Sequence, residues 1–248
     1  KMLITNIFNQ VNNNIFSLVL GKIYTKVEVG TYTQANKWNT MGASTITGMV
    51  QGVAQPTFVE VGDDPERLRR AFSKMLRFTS FIAFPVMFGL SLVAPEFIVT
   101  LIKEKWLPSA HLMQILCIGG AFLPIATLYF NLIISRGKSD VYMWNIIAQG
   151  CSILGTILIV YAFGGSTTHM VIAYSAIVIL WVGIWHIFLH QEIRYPFFSA
   201  LKDMLPFLVI AATTMAITYF ATCWIESAPL LLISRILIAI PIYLGILR

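Results

Sequence analysis

The chain has 248 residues, of which 57% are apolar and only 11% charged, with a net charge of +6. Charged residues make up about 25% of an ordinary globular domain, so this chain lacks the polar surface to cover itself in water. With a mean hydropathy of +0.77 and apolar runs that are long rather than alternating, it reads as a helical integral membrane protein, not a soluble globule or a membrane barrel.

The Lys and Arg residues lie between apolar runs, and no basic patch interleaved with aromatics stands out. The charge therefore signals topology and anionic lipid headgroups rather than nucleic acid. Cys117, Cys151 and Cys223 sit singly in apolar spans without a pairing pattern, as inert thiols do. The chain starts at Lys1 inside a helix-like run and shows no signal-peptide architecture. It is expected to be part of a longer protein.

Crossing about 30 Å of hydrocarbon takes about 20 apolar residues, and eight stretches qualify. The first, about Leu3 to Leu20, carries Asn6, Gln10, Asn13 and Ser17 on one helical face. The second, about Thr33 to Val59, carries Lys37, Thr40, Ser44, Thr47, Gln51 and Gln55 along a polar face, and Gly42, Gly48 and Gly52 permit close helix packing. Next, Asp63, Asp64, Pro65 and Glu66 form a helix start. Residues 63–77 then read as an amphipathic helix lying in the headgroup layer, with Arg67, Arg70, Lys74 and Arg77 as headgroup-binding residues. The third span follows directly, about Phe78 to Ile102, and Pro85 and Pro95 predict kinks or breaks in it. A charged turn ending in Trp106 leads to the fourth span, about Leu107 to Ser135, which contains Gly119, Gly120 and Pro124. The fifth and sixth spans are about Val141 to Phe163 and Met170 to Leu189. His190 to Asp203 reads as a surface-lying segment, and the last two spans are about Met204 to Trp224 and Leu230 to Leu247.

Alternation of eight spans puts Lys1, Arg67, Arg69, Arg70, Lys74, Arg77, Arg136, Lys138, Arg194, Lys202 and Arg248 on one side. Lys22, Lys26, Lys37, Lys103, Lys105 and Arg235 fall on or toward the other. The excess of cations marks the first side, with both chain ends, as cytoplasmic.

The search for catalytic chemistry is mostly negative. His186 and His190 are one helical turn apart, but without a third ligand they read as an interfacial pair. Asp63, Asp64 and Glu66 are explained by helix capping, and no nucleophilic triad or phosphate-binding glycine loop occurs. No metal and no cofactor is called for. The intramembrane polar groups carry more information, because a charge inside the bilayer is costly. Lys37 either snorkels to the interface or faces a water-filled cavity, and Arg235 either snorkels or pairs. Glu96 pairs, reaches the far interface, or serves as a proton or cation site. The polar faces of the first two spans are either hydrogen-bonding glue between helices or the wall of a hydrophilic cavity. Uncharged amides and hydroxyls suit a glycan, whose hydroxyls both donate and accept.

In order along the chain, GTYTQANKW (30–38), DDPERLRRAFSKMLR (63–77), FPVMFGLSLVAPEFI (84–98), EKWLPSAHLMQIL (104–116) and SRGKSD (135–140) resemble the Wzx-type polysaccharide flippases. These belong to the multidrug/oligosaccharidyl-lipid/polysaccharide exporter superfamily. The resemblance covers about residues 20–140 well and the remainder by pattern. It implies a fold of two pseudo-symmetric helix bundles around a central cavity, working by alternating access. The activity it implies is translocation of an undecaprenyl-pyrophosphate-linked oligosaccharide across the bacterial inner membrane, for surface polysaccharide, lipopolysaccharide or O-antigen biosynthesis.

The resulting expectation is an all-α integral membrane protein of about eight transmembrane helices, the second half of a two-bundle alternating-access transporter and not an enzyme. Residues 1–190 would form the second bundle, and 191–248 an interfacial segment plus two additional helices. Asn6, Gln10, Asn13, Lys37, Thr40, Ser44, Gln51 and Arg235 are the substrate-cavity candidates. The implied partners are the lipid-linked oligosaccharide, membrane lipids, an N-terminal bundle of the same protein and polysaccharide polymerase machinery. A cation-coupled multidrug exporter is the alternative, and it would need a buried acid, for which Glu96 is the candidate. A membrane glycosyltransferase or glycan polymerase would want charged loops on the far side, which are short here.

Overall fold

The structure is a computed structural model and describes residue 10 and residues 19–22, 25–62, 64–225 and 227–246. Asn6, Asn13, Ser17 and Asp63 lie outside the described residues. Among those described, nine α-helices follow one another with no strand between them.

Helix α1, Lys26–Val61, starts at a capping box in which Thr25 and Glu28 satisfy each other's backbone amides. Its 36 residues span about 54 Å at 1.5 Å per residue, more than the hydrocarbon thickness. Tyr32, Ala35, Asn39, Ala43, Ile46, Val50, Ala54 and Phe58 recur every three or four residues and form its buried stripe.

Helix α2, Pro65–Leu92, is started by Asp64, whose carboxylate accepts from the amides of Glu66 and Arg67. Those bonds, the Arg67 amide foremost, hold its carboxyl below the ordinary range. Pro85 is accommodated inside α2, whereas the chain breaks at Val93, just before Pro95. Pro95 is the second residue of α3, Ala94–Leu101, where no intrahelical donor is lost. The same device recurs twice. Pro108 is second in α4, Leu107–Gly120, and Pro124 is second in α5, Leu123–Ser135, so the expected fourth span is a helix pair with a break at Ala121 and Phe122. A 3-10 turn, Glu104–Trp106, leads into α4. Then come α6, Ser139–Ala162, α7, Thr167–Ile193, α8, Phe197–Thr222, and α9, Ala228–Ile246.

Helix α1 lies on α2, α4 and α5, and α7 covers the other side of α4 and α5. Helix α2 packs most extensively against α8, while α9 joins α8 to α3, and α6 sits outside α7. The core is aliphatic and aromatic, with Phe72, Phe84, Tyr129 and Trp185 among its largest buried side chains. The outer faces of α6, α8 and α9 expose Leu158, Ile159, Phe220, Leu237 and Ile240, as helices do against lipid.

Six described stretches are long and apolar enough to cross a membrane: Pro65–Leu92, Glu104–Ser135, Ser139–Ala162, Thr167–Ile193, Phe197–Thr222 and Ala228–Ile246. Of the eight spans expected, the first falls largely outside the described residues. The second is a helix, but its polar face keeps α1 out of that apolar set. The surface-lying segment expected over His190–Asp203 is not present. Helix α7 runs on to Ile193, residues 194–196 turn, and α8 begins at Phe197. The turn is made by Arg194 in the left-handed conformation, φ 50°, with its amide on the His190 carbonyl. Asp203 explains the difference, because its buried carboxylate is bonded to α2 and draws the first turns of α8 onto the bundle.

Candidate functional site

Three constellations of polar residues stand out, at different heights and on different sides of the bundle. The first is the outward face of α1. Lys37, Thr40, Ser44, Gln51 and Gln55 are all exposed on it, opposite the buried stripe. Ser44 and Thr45 turn their hydroxyls back to the Met41 carbonyl. Among the described residues, Thr40, Gln51 and Gln55 bond to no protein group, so this face is not glue between the described helices. Gln51, Gln55 and Glu60 border a depression of about 540 Å³ at one end of the face. At the other end the Lys37 ammonium lies 5.4 Å from the Trp38 ring centroid, within cation–π range. Gln10 is exposed as well.

The second constellation surrounds Arg235, which is buried and whose hydrogen bonds go to Glu96, Leu92 and Thr222, none of them on α1. Its guanidinium donates to the Glu96 carboxylate at 2.8 Å, to the Leu92 carbonyl at 2.8 Å and to the Thr222 hydroxyl at 3.3 Å. It also stands 5.5 Å from the Tyr219 ring. Two open readings are thereby resolved into one another, because Arg235 and Glu96 are each other's partner. The Leu92 carbonyl lies beside the break at Val93, so the pair fastens α9 to the weak point between α2 and α3. Alongside runs an apolar groove of about 780 Å³ with α1 on one wall (Trp38, Met41) and α9 on the other (Ile236, Ile240, Tyr243).

The third constellation is a cleft of about 580 Å³ between the first half of α2 and the start of α8. Arg69, Arg70, Lys74 and Arg77 come from α2 and Lys202 from α8. At its base the buried Asp203 accepts from the Ser73 hydroxyl, the Tyr195 hydroxyl and, at 2.6 Å, from Arg77. Of the four headgroup candidates, Arg70, Lys74 and Arg77 line this cleft. Arg67 instead pairs with Asp64 at 3.2 Å on an exposed surface. Arg69, Ser73, Tyr195, Lys202 and Asp203 were not readable as one site, since α2 and α8 are distant in sequence. The sequence signal that exists is a charge, Asp203, standing just before an apolar run.

The Lys/Arg asymmetry has a physical counterpart here. Arg77 bonds Asp203, Lys138 bonds Glu192, and Arg69 bonds the Ile193 carbonyl, all at one end of the bundle. At the opposite end the Thr167 hydroxyl donates to Glu28, and Gly30 lies under the Trp106 ring. Of the histidine pair, His186 is buried with its Nδ1 3.3 Å from the Tyr129 hydroxyl, while His190 approaches the Tyr195 carbonyl at 2.9 Å. The two rings are 6.4 Å apart. Among the described residues, no group of three His, Cys, Asp or Glu side chains converges on a metal-sized site.

Long apolar helices broken at proline-marked points, with a polar face turned outward, define an all-α membrane protein. The solved structure of the lipid II flippase MurJ in an inward closed conformation superposes on 97% of this chain with a TM-score of 0.81, at 17% identity, and the match takes in 50% of that chain. A family of polysaccharide biosynthesis proteins matches residues 1–111. The lipopolysaccharide biosynthesis protein WzxC of Escherichia coli is 28% identical over 136 residues, 55% of this chain and 28% of that one. A membrane protein of the Klebsiella pneumoniae cps region is 30% identical over 135 residues, 54% of this chain and 28% of that one. The teichuronic acid biosynthesis protein TuaB of Bacillus subtilis is 25% identical over 214 residues, 84% of this chain and 43% of that one. The matches take in less than half of each of these three relatives and half of MurJ, and together they show the fold of MurJ and a resemblance to polysaccharide biosynthesis proteins such as WzxC.

Proposed function

We propose that this chain is the second half of a flippase that carries an undecaprenyl-pyrophosphate-linked oligosaccharide across the bacterial inner membrane. The surface polysaccharide machinery, lipopolysaccharide or O-antigen assembly included, would receive the product. The observation that carries the reading is the outward face of α1. It is long, polar and almost uncharged, and it lies beside an apolar groove. A glycan headgroup cannot enter hydrocarbon, because its hydroxyls and pyrophosphate would lose their water unpaired. Thr40, Ser44, Gln51 and Gln55 offer replacement hydrogen bonds, and Lys37 offers a cation to the pyrophosphate. The groove suits a lipid tail that stays apolar throughout.

In this reading an N-terminal bundle of the same protein closes the cavity opposite α1. Residues 1–190 complete the second bundle, and α8 and α9 are the additional helices. Alternating access has its flexible points at the breaks before Pro95 and Pro124. The basic end of the bundle faces the cytoplasm, and with it both ends of the chain. The relatives' roles in lipopolysaccharide and teichuronic acid biosynthesis support this reading over drug export, as does the occupation of Glu96 by Arg235, which removes it as a free coupling acid.

The test is a triple variant, Lys37→Gln, Gln51→Leu and Gln55→Leu, in the full-length protein. Glycan export is expected to fall about tenfold or more, the worth of one or two hydrogen bonds, with protein abundance unchanged. Unchanged export at equal abundance would rule the face out as the substrate path.

A further inference from the structure

The cleft between α2 and α8 has a construction that topology signalling alone does not require. Positive charge orients a membrane protein wherever it sits in the flanking loops. Here five cations, Arg69, Arg70, Lys74, Arg77 and Lys202, converge from two helices onto one concavity, with Asp203 as the only carboxylate lining it among the described residues. Asp203 is 3% exposed, and its oxygens are engaged by Ser73, Tyr195 and Arg77. Burial, and then the bond to Asp203, push the Tyr195 phenol up to about 12. A phenol with a raised pKa keeps its proton, and the stability it lends, below its ordinary value near 10, and loses them only as pH climbs toward 12.

The cations divide by what they touch. Arg69 is spent on the Ile193 carbonyl and Arg77 on Asp203, while Arg70 makes one long bond, 3.5 Å, to the Glu66 carbonyl. Among the described residues, Lys74 and Lys202 have no hydrogen-bond or ion-pair partner. They come from different helices, line the same cleft, and stand where the α2–α8 pair meets water. Like charges brought together repel each other unless an anion stands between them.

We propose that this cleft binds the phosphate of a membrane lipid headgroup, with Lys74 and Lys202 as the two primary donors and Arg70 beside them. The ammonium groups supply point charges for a phosphodiester. The Ser73–Tyr195–Asp203–Arg77 cluster holds the two helices at a fixed distance around it. The site is separate from the outward face of α1 and does not depend on what α1 transports.

Native mass spectrometry of the full-length protein, released from detergent with phosphatidylglycerol or phosphatidylcholine, tests this. Wild type is expected to retain phosphatidylglycerol over phosphatidylcholine. The double variant Lys74→Gln/Lys202→Gln is expected to lose about tenfold or more of that retention. Lys103→Gln/Lys105→Gln, at the other end of the bundle, is expected to lose none. The same samples with inorganic phosphate separate the two sources of this chemistry. Retention of phosphatidylglycerol through millimolar phosphate supports a lipid site, whereas phosphate binding without lipid retention would overturn it. Equal lipid retention by wild type and Lys74→Gln/Lys202→Gln, with matching thermal unfolding, would overturn the site altogether.

Discussion

Asn39 and Gly120 show how a single side chain decides where α1 can sit. A Cβ on Gly120 would lie 2.1 Å from Asn39 Oδ1 and 2.8 Å from Met87 Cε, so α4 approaches α1 closely only because position 120 has no side chain. Gly120→Ala is expected to lower stability by about 1–3 kcal/mol, the cost of overpacking, read as a fall in the detergent-solubilised unfolding temperature. Adding Asn39→Ala is expected to restore part of it. Equal losses for the single and double variants would show that the contact does not limit the packing. Arg235 and Glu96 make the other residue-scale case. Removing one partner of a buried pair typically costs about 3–5 kcal/mol, because the other charge is left uncompensated. Arg235→Gln and Glu96→Gln are each expected to destabilise the protein, and the double variant to be milder than their sum. Strict additivity in such a double-mutant cycle would deny the coupling.

At the scale of elements, the sequence and the structure agree where a local pattern carries the information. The outward face of α1 was legible because Lys37, Thr40, Ser44, Gln51 and Gln55 repeat with helical spacing and need no tertiary partner. The break near Pro95 was legible because proline tolerates only the first turn of a helix, whereas the break before Pro124 divides what reads as a single fourth span. Pro85 shows the limit of that rule, since it sits inside an intact α2. The surface segment inferred over His190–Asp203 failed for a specific reason. Its Lys, Arg, Asp and Glu content reads as interfacial, but Asp203 is neutralised by groups on α2 more than a hundred residues earlier. Arg235 with Glu96 is the same lesson, because 139 positions separate them and no local pattern joins them. The charges were visible in the sequence, but which ones were already paired was not.

For the molecule as a whole, the structure adds a direction. Partners far apart in sequence meet at the same end of the bundle throughout, Arg77 with Asp203 and Lys138 with Glu192 at one end, Glu28 with Thr167 at the other. Single cysteines introduced at Lys105 and at Asp140, with the native cysteines replaced by serine, report which end faces outward. A membrane-impermeant thiol reagent on intact cells is expected to label Lys105→Cys, and to label Asp140→Cys only after permeabilisation. The reverse pattern would invert the proposed topology.

The proposed movement of a lipid-linked glycan between leaflets has a direct consequence in cells that lack the protein. The most direct measurement is the leaflet distribution of undecaprenyl-linked oligosaccharide in a strain lacking the full-length gene. The glycan is expected to accumulate on the cytoplasmic leaflet and surface polysaccharide to be lost. Wild type is predicted to reverse both, and the Lys37→Gln/Gln51→Leu/Gln55→Leu variant to reverse neither. Normal surface polysaccharide with no cytoplasmic accumulation in that strain would rule out glycan transport by this protein.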